Sequence, residues 1–121
     1  MAVMCGLLGS DRCHLKPGTI LFIEDISEAV YKIERMLYQL KLSGLLDSIR
    51  GLIVGQFTEY RRDDRNNEDM YDMIHRMTEK YDIPIAFNFP VGHVDSNYPI
   101  AEGMKVRLSV NPDKTRLVFI P

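Results

Sequence analysis

At 121 residues the chain has room for one domain with its own core and is too short for two of ordinary size. Hydrophobic residues at 45% and charged residues at 26% exclude a largely disordered or collagen-like chain. The net charge is -2, and the cluster Arg61, Arg62 and Arg65 is interleaved with Asp63 and Asp64, so no broad basic face exists and no nucleic-acid partner is expected.

The apolar runs fall far short of the ~20 residues of a membrane helix, and residues 1–9 lack a basic segment and a cleavage site. Neither a transmembrane segment nor a signal peptide is expected. Cys5 and Cys13, eight positions apart without other ligand types around them, give no support for zinc or a disulfide framework.

In chain order, residues 2–8 read as the end of a helix closed by Gly9, and residues 11–18, with Pro17-Gly18, as a connector. Residues 19–23 form a short, continuously apolar run, the pattern of a strand buried on both faces, ending at Glu24-Asp25. Ser27 is placed to cap a helix whose apolar positions Val30, Ile33, Met36, Leu37 and Leu40 recur at helical spacing up to Gly44. Residues 51–57 are a second buried strand, which a crossover of this length sets parallel to the first and right-handed.

Residues 58–67 are a charged surface loop. Asn66 or Asn67 is expected to cap a second helix, with Glu68 and Asp69 in its first turn and Met70, Met73, Ile74, Met77 and Tyr81 facing inward. Methionines at this spacing are core filler rather than a cofactor box. A third strand over residues 83–87 leads into Asn88-Phe89-Pro90-Val91-Gly92-His93. Two closing strands, residues 105–110 and 116–120, flank the hairpin turn Asn111-Pro112-Asp113-Lys114. The fold class is therefore α/β, a mixed sheet with flanking helices.

Functional side chains in α/β domains gather where strands end. Two strand exits carry ionisable groups, Glu24-Asp25 and Gly92-His93. If those strands are neighbours, a carboxylate and an imidazole meet and form the orienting half of a hydrolytic triad. Gly92 would permit an unusual backbone angle beside the histidine. The plainer reading is that Asp25 or Glu24 caps the following helix and that a loop histidine is structural. His14 and His75 are expected to be solvated. None of Ser10, Ser27, Ser43, Ser48, Ser96 and Ser109 lies in a nucleophile elbow, so the chain holds no visible nucleophile.

The runs Gly18-Thr-Ile-Leu-Phe-Ile-Glu-Asp-Ile-Ser-Glu, Tyr31-Lys-Ile-Glu-Arg-Met-Leu-Tyr-Gln-Leu, Gly44-Leu-Leu, Gly51-Leu-Ile-Val-Gly-Gln-Phe-Thr, Ile83-Pro-Ile, Pro90-Val-Gly-His and Pro99-Ile-Ala-Glu-Gly follow one another in an order that resembles the C-terminal domain of LD-carboxypeptidases. The resemblance implies a swivelling β/β/α-type domain over residues 19–121. Residues 1–18 resemble the remnant of an interdomain helix and its connector. Ile100-Ala101-Glu102-Gly103 departs from the Leu-Pro-x-Gly of the family.

What the resemblance implies about chemistry is a bacterial, cytoplasmic serine carboxypeptidase with a Ser-Glu-His triad split between two domains. The glutamate falls on Glu24 and the histidine on His93, while the serine belongs to an N-terminal, nucleophile-bearing domain of the same protein. The implied substrate is a murein tetrapeptide that loses its terminal D-alanine; a related branch acts on microcin C derivatives for self-immunity. No metal or organic cofactor is implied, no membrane partner is expected, and a homodimer is compatible with the reading. Tyr31 and Arg35 match recurrent family positions, read here as helix packing or an ion pair in preference to substrate contact. The competing class is a non-catalytic binding module.

Overall fold

A computed structural model describes residues 1–13, 15–62, 64 and 67–121. Among the described residues nine elements follow one another: α1 (Ala2–Gly6), β1 (Ile20–Ile23), α2 (Val30–Leu42), α3 (Leu45–Ser48), β2 (Gly51–Val54), α4 (Met70–Thr78), β3 (Ile85–Ala86), β4 (Val106–Val110) and β5 (Thr115–Phe119). β1, β2 and β3 pair in that order, all parallel, with Ile20 opposite Gly51 and Leu52 opposite Ile85. β4 and β5 form a separate antiparallel ribbon. The α/β class with parallel and antiparallel pairing is as expected, but the two kinds of pairing occupy different sheets rather than one.

Burial explains the elements. Only the central strand β2 is buried at every position, which is why its sequence is apolar throughout. β1 alternates, with Leu21 and Ile23 buried and Ile20 and Phe22 half-covered, so the expectation of a strand buried on both faces holds for β2 and not for β1. An edge strand has a neighbour on one side only.

Val30, Ile33, Leu37 and Leu40 of α2 and Met70, Met73, Ile74 and Met77 of α4 are buried in one apolar cluster with Leu52 and Val54. The two helices lie against each other. Outside the apolar seam Arg76 binds them polarly, forking onto Glu68 at 2.8 Å and reaching Glu34 at 2.9 Å. Met1, Met4, Cys5, Leu8, Cys13 and Leu15 pack on the margin of the same core, so these residues are attached to the domain rather than hanging from it.

Helix boundaries differ from expectation in an instructive way. α2 has Ala29 at its N-cap position and no side-chain cap; Ser27, in left-handed backbone at φ 60°, donates its hydroxyl to Glu59 Oε2 at 2.8 Å instead. The first amide of α2 finds a backbone partner, Val30 N donating to Arg61 O at 3.0 Å, which satisfies one of the donors that a helix start leaves open. α4 is capped by Asp69, whose carboxylate accepts from Tyr71 N at 3.1 Å, and not by Asn67; Asn66 lies outside the described residues. Asp69 is thus the cap itself rather than a first-turn acid, and Glu68 precedes the helix. Tyr81 follows the end of α4 and packs half-buried at the edge of the core.

The third strand is reduced to Ile85–Ala86. Pro84 has no amide to donate, although its carbonyl accepts from Leu52 N at 3.0 Å. The closing turn forms as its residues predict, Asn111 and Lys114 exchanging two backbone hydrogen bonds at 3.2 Å. Leu108 of the ribbon reaches β2 closely enough that a Cβ on Gly51 would lie 3.2 Å from it.

Candidate functional site

All three parallel strands run out at the same edge of the sheet, where an α/β architecture usually places its chemistry. Glu24 leaves β1, Gly55 and Gln56 leave β2, and the chain from β3 reaches the same edge by an indirect route. It turns at Asn88 in left-handed backbone, φ 51°. It then folds back so that Phe89 N donates to Val54 O at 2.9 Å and Val91 O accepts from Gln56 N at 2.8 Å. Gly92 then bridges to Gln56 in parallel sense. This detour extends the third strand position beyond the short β3 and carries His93 across β2 toward β1.

There His93 Nδ1 lies 2.9 Å from Glu24 Oε2, two residues 69 positions apart in sequence. An ionised carboxylate only accepts, so the ring proton belongs on Nδ1 and the lone pair of the neutral ring on Nε2. Among the described residues Nε2 has no hydrogen-bond partner. The His93 side chain is 56% exposed while that of Glu24 is 23% exposed. The carboxylate is thus the more covered of the two groups, and the imidazole the more accessible to a group from another chain segment or a substrate.

Two glycines make this juxtaposition sterically feasible. A Cβ on Gly55 would lie 2.6 Å from Val91 O, 2.8 Å from the Phe22 ring and 3.1 Å from Glu24 Cβ. A Cβ on Gly92 would lie 2.8 Å from Gln56 O and 3.4 Å from Glu24 Oε2, and Gly92 has φ 141°, a backbone region that side chains with a Cβ rarely enter. Gly92 was legible from its place before the histidine. The role of Gly55 was not, because nothing in a lone glycine after a strand tells which strands will flank it.

Asp25 faces elsewhere. Its Oδ1 accepts from Ile26 N at 3.0 Å and its Oδ2 lies 3.2 Å from the Met1 amino group. It makes a local turn and does not cap α2. Tyr71 was missed by sequence reasoning as well: its hydroxyl accepts from Phe57 N at 3.2 Å and lies 3.4 Å from both Gly55 O and Asn88 Oδ1. It ties α4 to the two segments that carry the site. A tyrosine on a helix flank gives no sequence signal of such a role.

Other candidates stay apart from this edge. His75 is exposed and 3.8 Å from Glu79, and His14 lies outside the described residues. Arg35 sits 5.2 Å over the ring of Tyr31, so these two residues pair with each other on the outer face of α2. Cys5 and Cys13 are free thiols, and burial pushes the Cys5 thiol up, the opposite of an activated nucleophile. No three potential metal ligands gather among the described residues, and no helix among them is long and apolar enough to cross a membrane.

Fold and site together define an α/β domain that presents a carboxylate-oriented imidazole at the carboxyl edge of a parallel sheet. Residues 1–108 match the family of the LD-carboxypeptidase C-terminal domain, and the chain belongs to that family. It is 30% identical over 101 residues to the murein tetrapeptide carboxypeptidase of Pseudomonas aeruginosa, a match covering 80% of this chain and 31% of that protein. It superposes on the muramoyltetrapeptide carboxypeptidase of Oxalobacter formigenes with a TM-score of 0.84 at 30% identity, covering 98% of this chain and 42% of the other. The microcin C7 self-immunity protein MccF in complex with aspartyl sulfamoyl adenosine shares the fold, with a TM-score of 0.64 at 24% identity over 74% of this chain and 27% of its own. The chain spans about a third of the length of the relatives it matches.

Proposed function

We propose that the chain supplies the general base and its orienting carboxylate to a serine carboxypeptidase that releases terminal D-alanine from murein tetrapeptides in the bacterial cytoplasm. The observation that carries this reading is the 2.9 Å contact between Glu24 Oε2 and His93 Nδ1 with Nε2 left open. In this mechanism the nucleophilic serine comes from an N-terminal domain of the same protein. Its hydroxyl proton passes to His93 Nε2 as the oxygen attacks the carbonyl carbon of the scissile bond. Glu24 accepts the Nδ1–H throughout and stabilises the imidazolium. His93 then returns the proton to the departing D-alanine amine, and water, deprotonated by the same ring, releases the acyl group from the serine. No metal takes part in this scheme.

Murein peptide is preferred over a microcin-type substrate because the murein relative is the more similar in sequence, 30% against 24%. Glu24→Gln and His93→Ala in the full-length enzyme are each expected to lower kcat for D-alanine release by roughly 10³-fold or more with the fold intact. Turnover close to wild type in either variant sinks the assignment.

A further inference from the structure

The residue holding His93 belongs to no element of regular structure. Residues 87–105 contain neither helix nor strand, and Gly92, with φ 141°, can reach more backbone conformations than any residue with a side chain. Such a hinge beside a base ring needs a restraint. The sheet supplies only part of it: Gln56 N donates to Val91 O at 2.8 Å, while the amide of Gly92 itself is not taken by β2. That amide donates instead to Asn97 Oδ1 at 3.2 Å. One residue further, Tyr98 N donates to Pro90 O at 3.1 Å, so residues 90–98 close into a small ring. Inside it Val94 N donates to Gly92 O at 3.0 Å, a three-residue turn with His93 at its centre. On the other side Thr58 Oγ1 donates to His93 O at 3.3 Å.

We infer that Asn97 is a positioning residue for His93. By accepting the Gly92 amide it fixes the hinge, and through the hinge it holds the imidazole in register with Glu24. Thr58 steadies the same turn from the β2 side. Asn97 hydrogen-bonds to neither the ring nor Glu24, so its action is indirect. This inference rests on the proposed role of His93 as the base.

The test reads the ring directly. In the intact protein labelled with 15N at histidine, imidazole nitrogen shifts near neutral to mildly alkaline pH report how His93 divides between its Nδ1–H and Nε2–H forms. Wild type is expected in the Nδ1–H form, and Glu24→Gln serves as the control that loses it. Asn97→Ala is expected to lower the ratio of Nδ1–H to Nε2–H by about two- to tenfold, the factor that matches the net worth of one hydrogen bond. Asn97→Asp, which keeps an acceptor oxygen at the same place, is expected to restore it. In turnover, Asn97→Ala should lower kcat by roughly ten- to a hundredfold with KM little changed. A wild-type tautomer ratio in Asn97→Ala, or an Asn97→Asp variant as impaired as Asn97→Ala, overturns the inference. Because the tautomer is read without substrate, these results stand apart from any failure of Glu24→Gln or His93→Ala to abolish peptide cleavage.

Discussion

The pairing of Glu24 with His93 depends on atoms that are missing as much as on those present. At Gly55 and Gly92 the lack of a Cβ lets three chain segments converge, and a methyl group at Gly92 would meet a backbone oxygen, which cannot swing aside as a flexible side chain could. Gly92→Ala therefore combines strained φ with a backbone clash. We expect it to destabilise the protein by about 1–3 kcal/mol and to separate His93 from Glu24. Urea unfolding measures the first effect, and a midpoint equal to wild type would contradict the steric account. Glu24 was distinguishable from Asp25 only through the resemblance, since both follow the strand; in three dimensions one side chain turns to the histidine and the other to its own turn.

At the scale of elements, α4 is held at its start by a compact polar cluster. Asp69 caps the helix, takes the Tyr60 hydroxyl at 2.5 Å and pairs with Arg62 at 2.9 Å. The Tyr60 hydrogen bond, ahead of the others, holds the Asp69 carboxyl below its ordinary value. Tyr60 is pushed up to about 12 by burial and by the same bond, so it remains a donor through the neutral range. A carboxyl lowered on folding contributes stability that is present above its unfolded value, near 3.8, and is lost as pH falls through the lower folded value. Asp69→Asn keeps a capping oxygen but removes the charge. Its stability deficit relative to wild type is thus expected to shrink as pH drops below about 4, as thermal unfolding across pH 2 to 7 would reveal; a constant deficit would refute the linkage. Because Tyr71 donates its amide to the Asp69 cap and its hydroxyl lies against both Gly55 and Asn88, this helix start also sets the ground on which the site stands.

For the whole molecule, the proposed mechanism assigns this chain the base and its orienting carboxylate and no nucleophile. The His93 side chain is 56% exposed, and no serine or cysteine among the described residues hydrogen-bonds to its Nε2. Under the proposed mechanism the 121-residue chain alone has nothing to deprotonate, and we expect the purified chain to release no D-alanine above the buffer rate. Heat-sensitive release that His93→Ala abolishes would show that a nucleophile resides within these residues after all. The paired helices and the fully buried β2 form one apolar core, and the Glu24–His93 contact lies at the edge of the sheet built on it.

Periodicity in the sequence determined α2, α4, the parallel β1–β2 pair and the closing hairpin, because each rests on local spacing of apolar residues or on turn chemistry. The order of its motifs singled out Glu24 and His93. Only the tertiary structure decided that the strands fall into two sheets, that α2 starts without Ser27 as its cap, and that β3 shrinks to two residues while the chain beyond it does the pairing. It also decided which glycines let the segments converge and that the Asn97 and Tyr71 side chains hydrogen-bond to the segments around Glu24 and His93. These are matters of which backbone groups and surfaces meet across long separations, and no local pattern encodes a partner that lies 69 residues away.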